Sequence, residues 1–206
     1  MIYTIAQAVH DELRRQRANV LNGATTSVPP LRVETTCAEI FDIVDKNPII
    51  IHPVGKGGAS YYNVARREIY VWDYENFVNN LDTVLQKGQR RPDFIVADSG
   101  SEIFIINELS TGNPKSKKSD ALLQMNHLVQ LLQKTSVWRQ ISAIADRQCI
   151  FSCRQSFAST PVVKGDKGIA DSFATIQSLL PPAQILNFQP ITKAGFRLYQ
   201  SDHIQL

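Results

Sequence analysis

Apolar positions at Ile2, Ile5, Val9, Leu13 and Val20 recur near helical spacing, which predicts an amphipathic helix over residues 2–21. Asn22-Gly23 should stop it, and the polar stretch to Pro29-Pro30 reads as a loop. A second, short helix is expected over residues 35–45, with Thr35 or Thr36 as cap and Ile40, Phe41 and Val44 as its apolar side. The run PIIIHPV (48–54) reads as a strand or edge strand, followed by the glycine-rich stretch Gly55-Lys56-Gly57-Gly58, expected as a mobile loop. Glu68 to Trp72 is strand-like, and a helix from about Glu75 to Lys87 should end at Gly88.

Beyond Gly88 two apolar runs, RPDFIVAD and EIFIINELS, flank Ser99-Gly100, a tight-turn signal for a hairpin. The polar loop TGNPKSK leads into a helix at about Lys118–Lys134, with Leu122, Met125, Val129 and Leu132 along one side. A helix near 137–146, a strand at CIFSC (149–153) and a helix near 169–180 follow, and AQILNFQP and GFRLYQS supply one or two more strands. Together these elements predict a single α/β domain over 1–206, a central mixed β-sheet flanked by helices.

Composition narrows the class without changing that picture. With 206 residues, 43% of them apolar, the chain is long enough to bury a core and is neither disordered, collagen-like nor a disulfide scaffold. No run approaches the roughly 20 consecutive apolar residues of a membrane span. In MIYTIAQAVHDELRRQR the basic cluster follows the apolar stretch, the reverse of a secretory signal, so a leaderless cytoplasmic protein is expected. Cys37, Cys149 and Cys153 are odd in number with no CxxC pair, which fits a reducing compartment and buried thiols. The net charge of +3 permits nucleic-acid binding without demanding it.

Candidate chemistry concentrates after Gly88. Pro92-Asp93 opens one strand, Glu108-Leu109-Ser110 closes the next, and Gln124 lies fourteen residues past Ser110 on the following helix. This order resembles the PD-(D/E)XK nuclease superfamily, in which a Pro-Asp begins one strand, (Asp/Glu)-x-Lys ends the next, and a helix behind them carries a glutamine in the RecB-like branch. The resemblance covers roughly residues 90–130. It implies a restriction-endonuclease-like fold and a Mg²⁺- or Mn²⁺-dependent nuclease acting on DNA, in bacterial or phage-related restriction or defence. Asp93 and Glu108 would hold metal, with Glu12 on the first helix as an extra acidic member.

Strand alternation offers an independent test. If Ser99-Gly100 is a two-residue turn, Asp93 faces Ile106, and Glu108 lies two residues further on the same face, a diagonal neighbour. A one-residue change of loop length would separate the two carboxylates. Carboxylate oxygens suit a hard cation, which neutralises phosphate charge and activates water, and a nearby lysine adds positive charge. Here Ser110 takes the lysine position, and Lys115, Lys117 and Lys118 follow at once. Lys117, seven residues before Gln124, would share its helix face, so a relocated catalytic lysine at Lys117 or Lys118 is one reading and an inactive derivative the other.

Each residue also has a plainer use. Asp93 can serve a strand-entry turn, Glu108 a solvated strand end, Gln124 an exposed helix position, and His127 a helix flank. Glu12 is best read as pairing with Arg15 or Gln16. Basic residues cluster at Arg14/Arg15/Arg17, Arg66-Arg67, Arg90-Arg91 and Lys115/Lys117/Lys118. Arg90, Arg91, Arg66, Arg67 and Lys115 are the candidates for binding nucleic-acid phosphates, against the default of a solvated face. Tyr70, Trp72 and Tyr74 read better as one strand face than as base-stacking rings. No nucleophile elbow, Walker loop or dinucleotide fingerprint occurs, and the four histidines are scattered. The favoured reading is a nuclease, with a homodimer or larger complex compatible with it. The alternative is a catalytically inactive subunit of the same fold that binds nucleic acid or a protein partner.

Overall fold

The structure, a computed structural model, describes residues 1–52, 55–111, 114–154 and 183–206. The helix expected near 169–180 lies outside the described residues, as do Gly112 and Asn113 of the lysine-bearing loop. The opening helix α1 (Ile2–Gln16) buries Ile2, Ile5, Val9 and Leu13, as the spacing predicts. A break at Arg17 starts a short α2 (Ala18–Leu21), so Val20 faces out instead of continuing the apolar stripe. Asn22 ends it in the left-handed conformation, with φ 46.

The helix expected over 35–45 does not form. Its residues belong to two strands, β1 (Val33–Thr36) and β2 (Ile40–Ile43). The β-branched Val33, Thr35, Thr36, Ile40 and Ile43 favour the pleated backbone, and distant partners decide the matter. β1 pairs with β5 (Ile69–Asp73), and β2 pairs with β3 (Ile50–Ile51) and β4 (Ala59–Tyr62). The helix expected over 75–87 splits into α3 (Tyr74–Asn79) and α4 (Thr83–Gln86), because Asp73 and Asp82 each cap a new N-terminus.

The hairpin strands are β6 (Phe94–Asp98) and β7 (Ile103–Thr111), joined by a four-residue connection rather than a two-residue turn. Asp98 Oδ1 accepts from the backbone N–H groups of Glu102 and Ile103 at 2.8 and 2.9 Å and closes this wider loop. Then come α5 (Pro114–Leu132), α6 (Trp138–Ala143), β8 (Asp146–Arg154), β9 (Gln184–Ile185), α7 (Gln189–Lys193), β10 (Arg197–Gln200) and β11 (His203–Gln205).

Among the described residues the main sheet has seven strands in the order β1-β5-β6-β7-β8-β10-β9, and a second sheet has four, β11-β4-β2-β3. β7 and β10 flank β8 in parallel, whereas the β1, β5, β6 and β7 ladders are antiparallel. The architecture is therefore α/β with a large mixed sheet, and the second sheet is a feature that the local patterning does not announce.

The two faces of the main sheet bury different cores. Ile95, Ala97, Phe104, Ile106, Cys149 and Phe151 pack with residues of α1, α3 and α5. Phe94, Val96, Ile103, Ile105 and Ile150 pack instead against Phe41, Ile43, Ala59 and Tyr61 of the second sheet. Tyr70, Trp72 and Tyr74 belong to the helix-side core, which leaves the fully buried Trp72 and Tyr74 rings no room to stack on bases.

The glycine-rich stretch is pinned rather than mobile. Asp42, fully buried, accepts from the N–H groups of Gly55 and Gly57 at 2.7 and 2.6 Å and from Ser60 Oγ at 2.5 Å. A Cβ on Gly57 would stand 2.6 Å from the Ile43 carbonyl oxygen, which is why glycine is needed there. No helix among the described residues is long and apolar enough to cross a membrane.

Candidate functional site

Register brings Asp93 and Glu108 together. β6 and β7 pair Phe94 with Asn107 and Ile95 with Ile106, so Asp93, one step before β6, stands opposite Glu108 rather than opposite Ile106. The real connection is two residues longer than a tight turn, and an even change keeps both side chains on one face. That face is the helix side, since Ile95 and Ile106 belong to its core.

Backbone groups lock the pair reciprocally. Leu109 N–H donates to Asp93 Oδ2 at 2.6 Å, and the Asp93 N–H donates to the Glu108 carboxylate. The Asp93 carbonyl in turn accepts from Tyr74 and Glu75 at the start of α3, at 2.9 and 3.2 Å. Burial raises the Asp93 carboxyl to about 7. Burial first, and the neighbouring Asp93 charge second, raise Glu108 to about 9. Glu75 and Asp45 push both in the same direction, and Asp73 does so for Asp93.

Gln124 on α5 closes the site from above. With its amide assigned from the hydrogen-bond network, Nε2 donates to Glu108, 2.6 Å from both carboxylate oxygens, and to the Arg91 carbonyl at 3.0 Å. A cavity of about 290 Å³ lies beside it, lined by Glu108, Ser110, Lys117, Asp120, Gln124 and Phe151 among others. Residues 117, 120, 121 and 124 all border this cavity, the i, i+3, i+4, i+7 spacing of one helix face. Lys117 thus shares the cavity with Glu108, and Lys118 does not border it. The Lys115 side chain lies outside the described residues. A second cavity of about 330 Å³ adjoins across Asp120 and Gln124 and is lined by Glu75, Gln89, Arg90 and Arg91.

Other candidates sit elsewhere. Glu12 is held on its own helix by Arg15 and Gln16, each at 2.7 Å, and Arg15 chiefly lowers its pKa. Arg66 pairs with Glu39 and Arg67 with Glu102. Glu102 precedes β7 and Glu108 lies near its end, six residues or about 20 Å of strand away. His127 Nε2–H donates to Gln89 Oε1 at 2.8 Å, and burial lowers the His127 pKa.

Sequence reasoning missed Asp45, Asp73, Glu75 and Asp120. Arg32 joins the Asp73 carboxylate, at 2.9 Å, to the Lys46 carbonyl, and Asp45 and Asp73 act electrostatically on Asp93. No local signal marks Asp45, whose position depends on the second sheet. Glu75 was within reach of the pattern, directly after a strand ending in Asp73. Ser110 hydrogen-bonds to Cys153, its ladder partner on β8.

The arrangement fits a hard dication. Glu75 and Asp45 add negative charge that acts on both carboxyls, and the guanidinium groups nearby are already paired, Arg32 with Asp73 and Arg91 with Glu75 at 3.6 Å. Among the described residues no three His, Cys, Asp or Glu side chains form a ready-made metal group. Two carboxylates suffice for an ion such as Mg²⁺, which keeps several waters and takes further oxygens from a substrate phosphate. Comparison of the chain with protein-family models, curated proteins and solved structures finds no match.

Proposed function

We propose that this protein is a divalent-metal-dependent nuclease of the PD-(D/E)XK type that hydrolyses phosphodiester bonds of DNA. The observation that carries the reading is the shared cavity. Glu108, one of two opposed carboxylates, an amide that grips it and a lysine two turns away on the same helix border one space. Asp93 and Glu108 are the ligands for Mg²⁺ or Mn²⁺. A cation held there neutralises phosphate charge and lowers the pKa of water.

Each protein group has its own task in this reading. The Lys117 ammonium faces the phosphate and offsets the charge that grows in the transition state. The Gln124 amide fixes the Glu108 rotamer by tying it to the Arg91 carbonyl. Arg90 and Arg91 hold a neighbouring phosphate in the second cavity, exchanging exposed pairs with Asp120 and Glu75 for a phosphate oxygen. A restriction or defence role, acting in a reducing cytoplasm, follows from the resemblance and the cysteine count.

One observation favours a second reading, a non-catalytic module that binds nucleic acid or a protein partner. Ser110 stands where the superfamily has lysine, and its hydroxyl is engaged by Cys153. Incubation with plasmid, linear duplex and single strands in Mg²⁺, Mn²⁺ or EDTA separates the two. Cleavage that EDTA abolishes supports the nuclease, and binding without cleavage in either metal supports the module.

A further inference from the structure

The arginine cluster on α1 has no part in the site, yet the fold joins it to the second cavity. Arg17 Nη2 donates to the Lys87 carbonyl at 2.6 Å, tying the end of α1 to the segment that continues into Gln89, Arg90 and Arg91. Lys134, just past the end of α5, acts electrostatically on Glu12 of α1 and, with Arg90, on His127. Arg15, Arg17, Lys87, Arg90 and Lys134 thus lie on three neighbouring segments, the end of α1, the chain after α4 and the end of α5. Glu12 is neutralised by Arg15, and Asp120 stands 4.0 Å from Arg90. Lys87 and Lys134 are exposed, and among the described residues neither ammonium has a carboxylate at ion-pair distance.

We propose that these segments form a track for the phosphodiester backbone of the same nucleic-acid strand, leading away from the second cavity over Arg90 and Lys87 to Lys134 and the end of α1. The proposal rests on the nuclease reading for the origin of the track, and on its own geometry for the course. Asp120, which borders both cavities, and Leu132, at the end of α5, are twelve residues apart, about 18 Å of helix. That length spans several phosphates of one strand. Exposed cations such as Lys87 and Lys134 along such a line suit a polyanion whose bound counterions they release. They do not suit a single small anion, which needs converging donors.

The test compares wild type with K87A/K134A, two exposed residues outside the acid site, and with the charge reversal K134E. Binding of a fluorescein-labelled 20-nucleotide strand is followed by anisotropy in EDTA from 50 to 200 mM KCl, with melting curves to verify folding. Loss of two phosphate contacts should reduce the slope of log affinity against log salt by about 1.4 for a single strand, and K134E should weaken binding further than alanine at that position. Cleavage of a 4-nucleotide strand, too short to reach the track, should proceed at the wild-type rate in Mg²⁺. An unchanged salt slope in folded K87A/K134A overturns the track, as does wild type that does not bind the 20-mer. A wild type that binds the 20-mer with a slope the variant reduces, but cleaves neither strand, keeps the track and overturns the nuclease reading.

Discussion

Asp93 and Glu108 face each other across neighbouring antiparallel strands, and each carboxylate takes a backbone hydrogen bond from the other's strand: Leu109 N–H to Asp93, Asp93 N–H to Glu108. Two carboxyls held this way, buried and with no basic partner of their own, repel one another once ionised. The pair is an electrostatic cost to the fold and, in the proposed function, the place where a dication binds.

That cost has a pH signature. Asp93 and Glu108 have folded pKa values of about 7 and 9, above their ordinary values near 4. Between pH 4 and 9 the folded state therefore holds more protons than the unfolded state. Stability is full below about pH 4 and declines as pH rises through 7 and 9. In EDTA, the part of the melting temperature that depends on this pair should fall across that window, and Glu108→Gln should flatten the fall. A Glu108→Gln profile parallel to wild type contradicts the buried, mutually repelling pair.

The same substitutions bear on catalysis in the opposite direction. Asp93→Asn and Glu108→Gln keep the shape of the site and remove the charge that holds a hard cation. Each should abolish cleavage while melting at or above the wild-type temperature at pH 8 without metal. Retained cutting by either variant would place the metal elsewhere.

Lys117 and Lys118 are adjacent in sequence but differ in place, since only Lys117 borders the cavity with Glu108. Lys117→Ala should lower the rate by about 10²-fold or more, the scale of losing one charge-stabilising group. Lys118→Ala should leave the rate within a few-fold and act on substrate affinity instead. Single-turnover rates on a saturating duplex distinguish these, and equal rates for both variants and wild type would remove Lys117 from the chemistry.

Glu12 provides the control. Its carboxylate is occupied by Arg15 and Gln16, and it borders neither cavity of the site. Glu12→Gln should cleave at the wild-type rate with unchanged metal dependence, as a kinetic titration with Mn²⁺ would show. A loss comparable to that of Glu108→Gln would restore it to the site.

The hairpin was legible because strand alternation depends only on parity. Misjudging the connection by two residues shifted Asp93 from Ile106 to Glu108 and left the shared face intact. Lys117 and Gln124 were legible for a similar reason, as two helical turns are a local fact. Residues 35–45 failed because their structure is decided by partners far along the chain, at 59–62, 69–73 and 203–205 through the second sheet. Asp45 was invisible for the same cause: its neighbour Lys46 is tied to Asp73 through Arg32, a contact between distant parts of the chain. The break between α3 and α4 turned on a single cap, Asp82, within an otherwise helical pattern.

The most direct measurement of the central claim is calorimetric titration of Mn²⁺ into the wild-type protein and into Glu108→Gln, both folded, without nucleic acid and at one pH near 8. The account predicts one binding event in wild type, accompanied by proton release that varies with the ionisation enthalpy of the buffer, and its loss in the variant. Mn²⁺ binding of equal affinity in both proteins, or none in wild type even with a phosphodiester strand added, would contradict it.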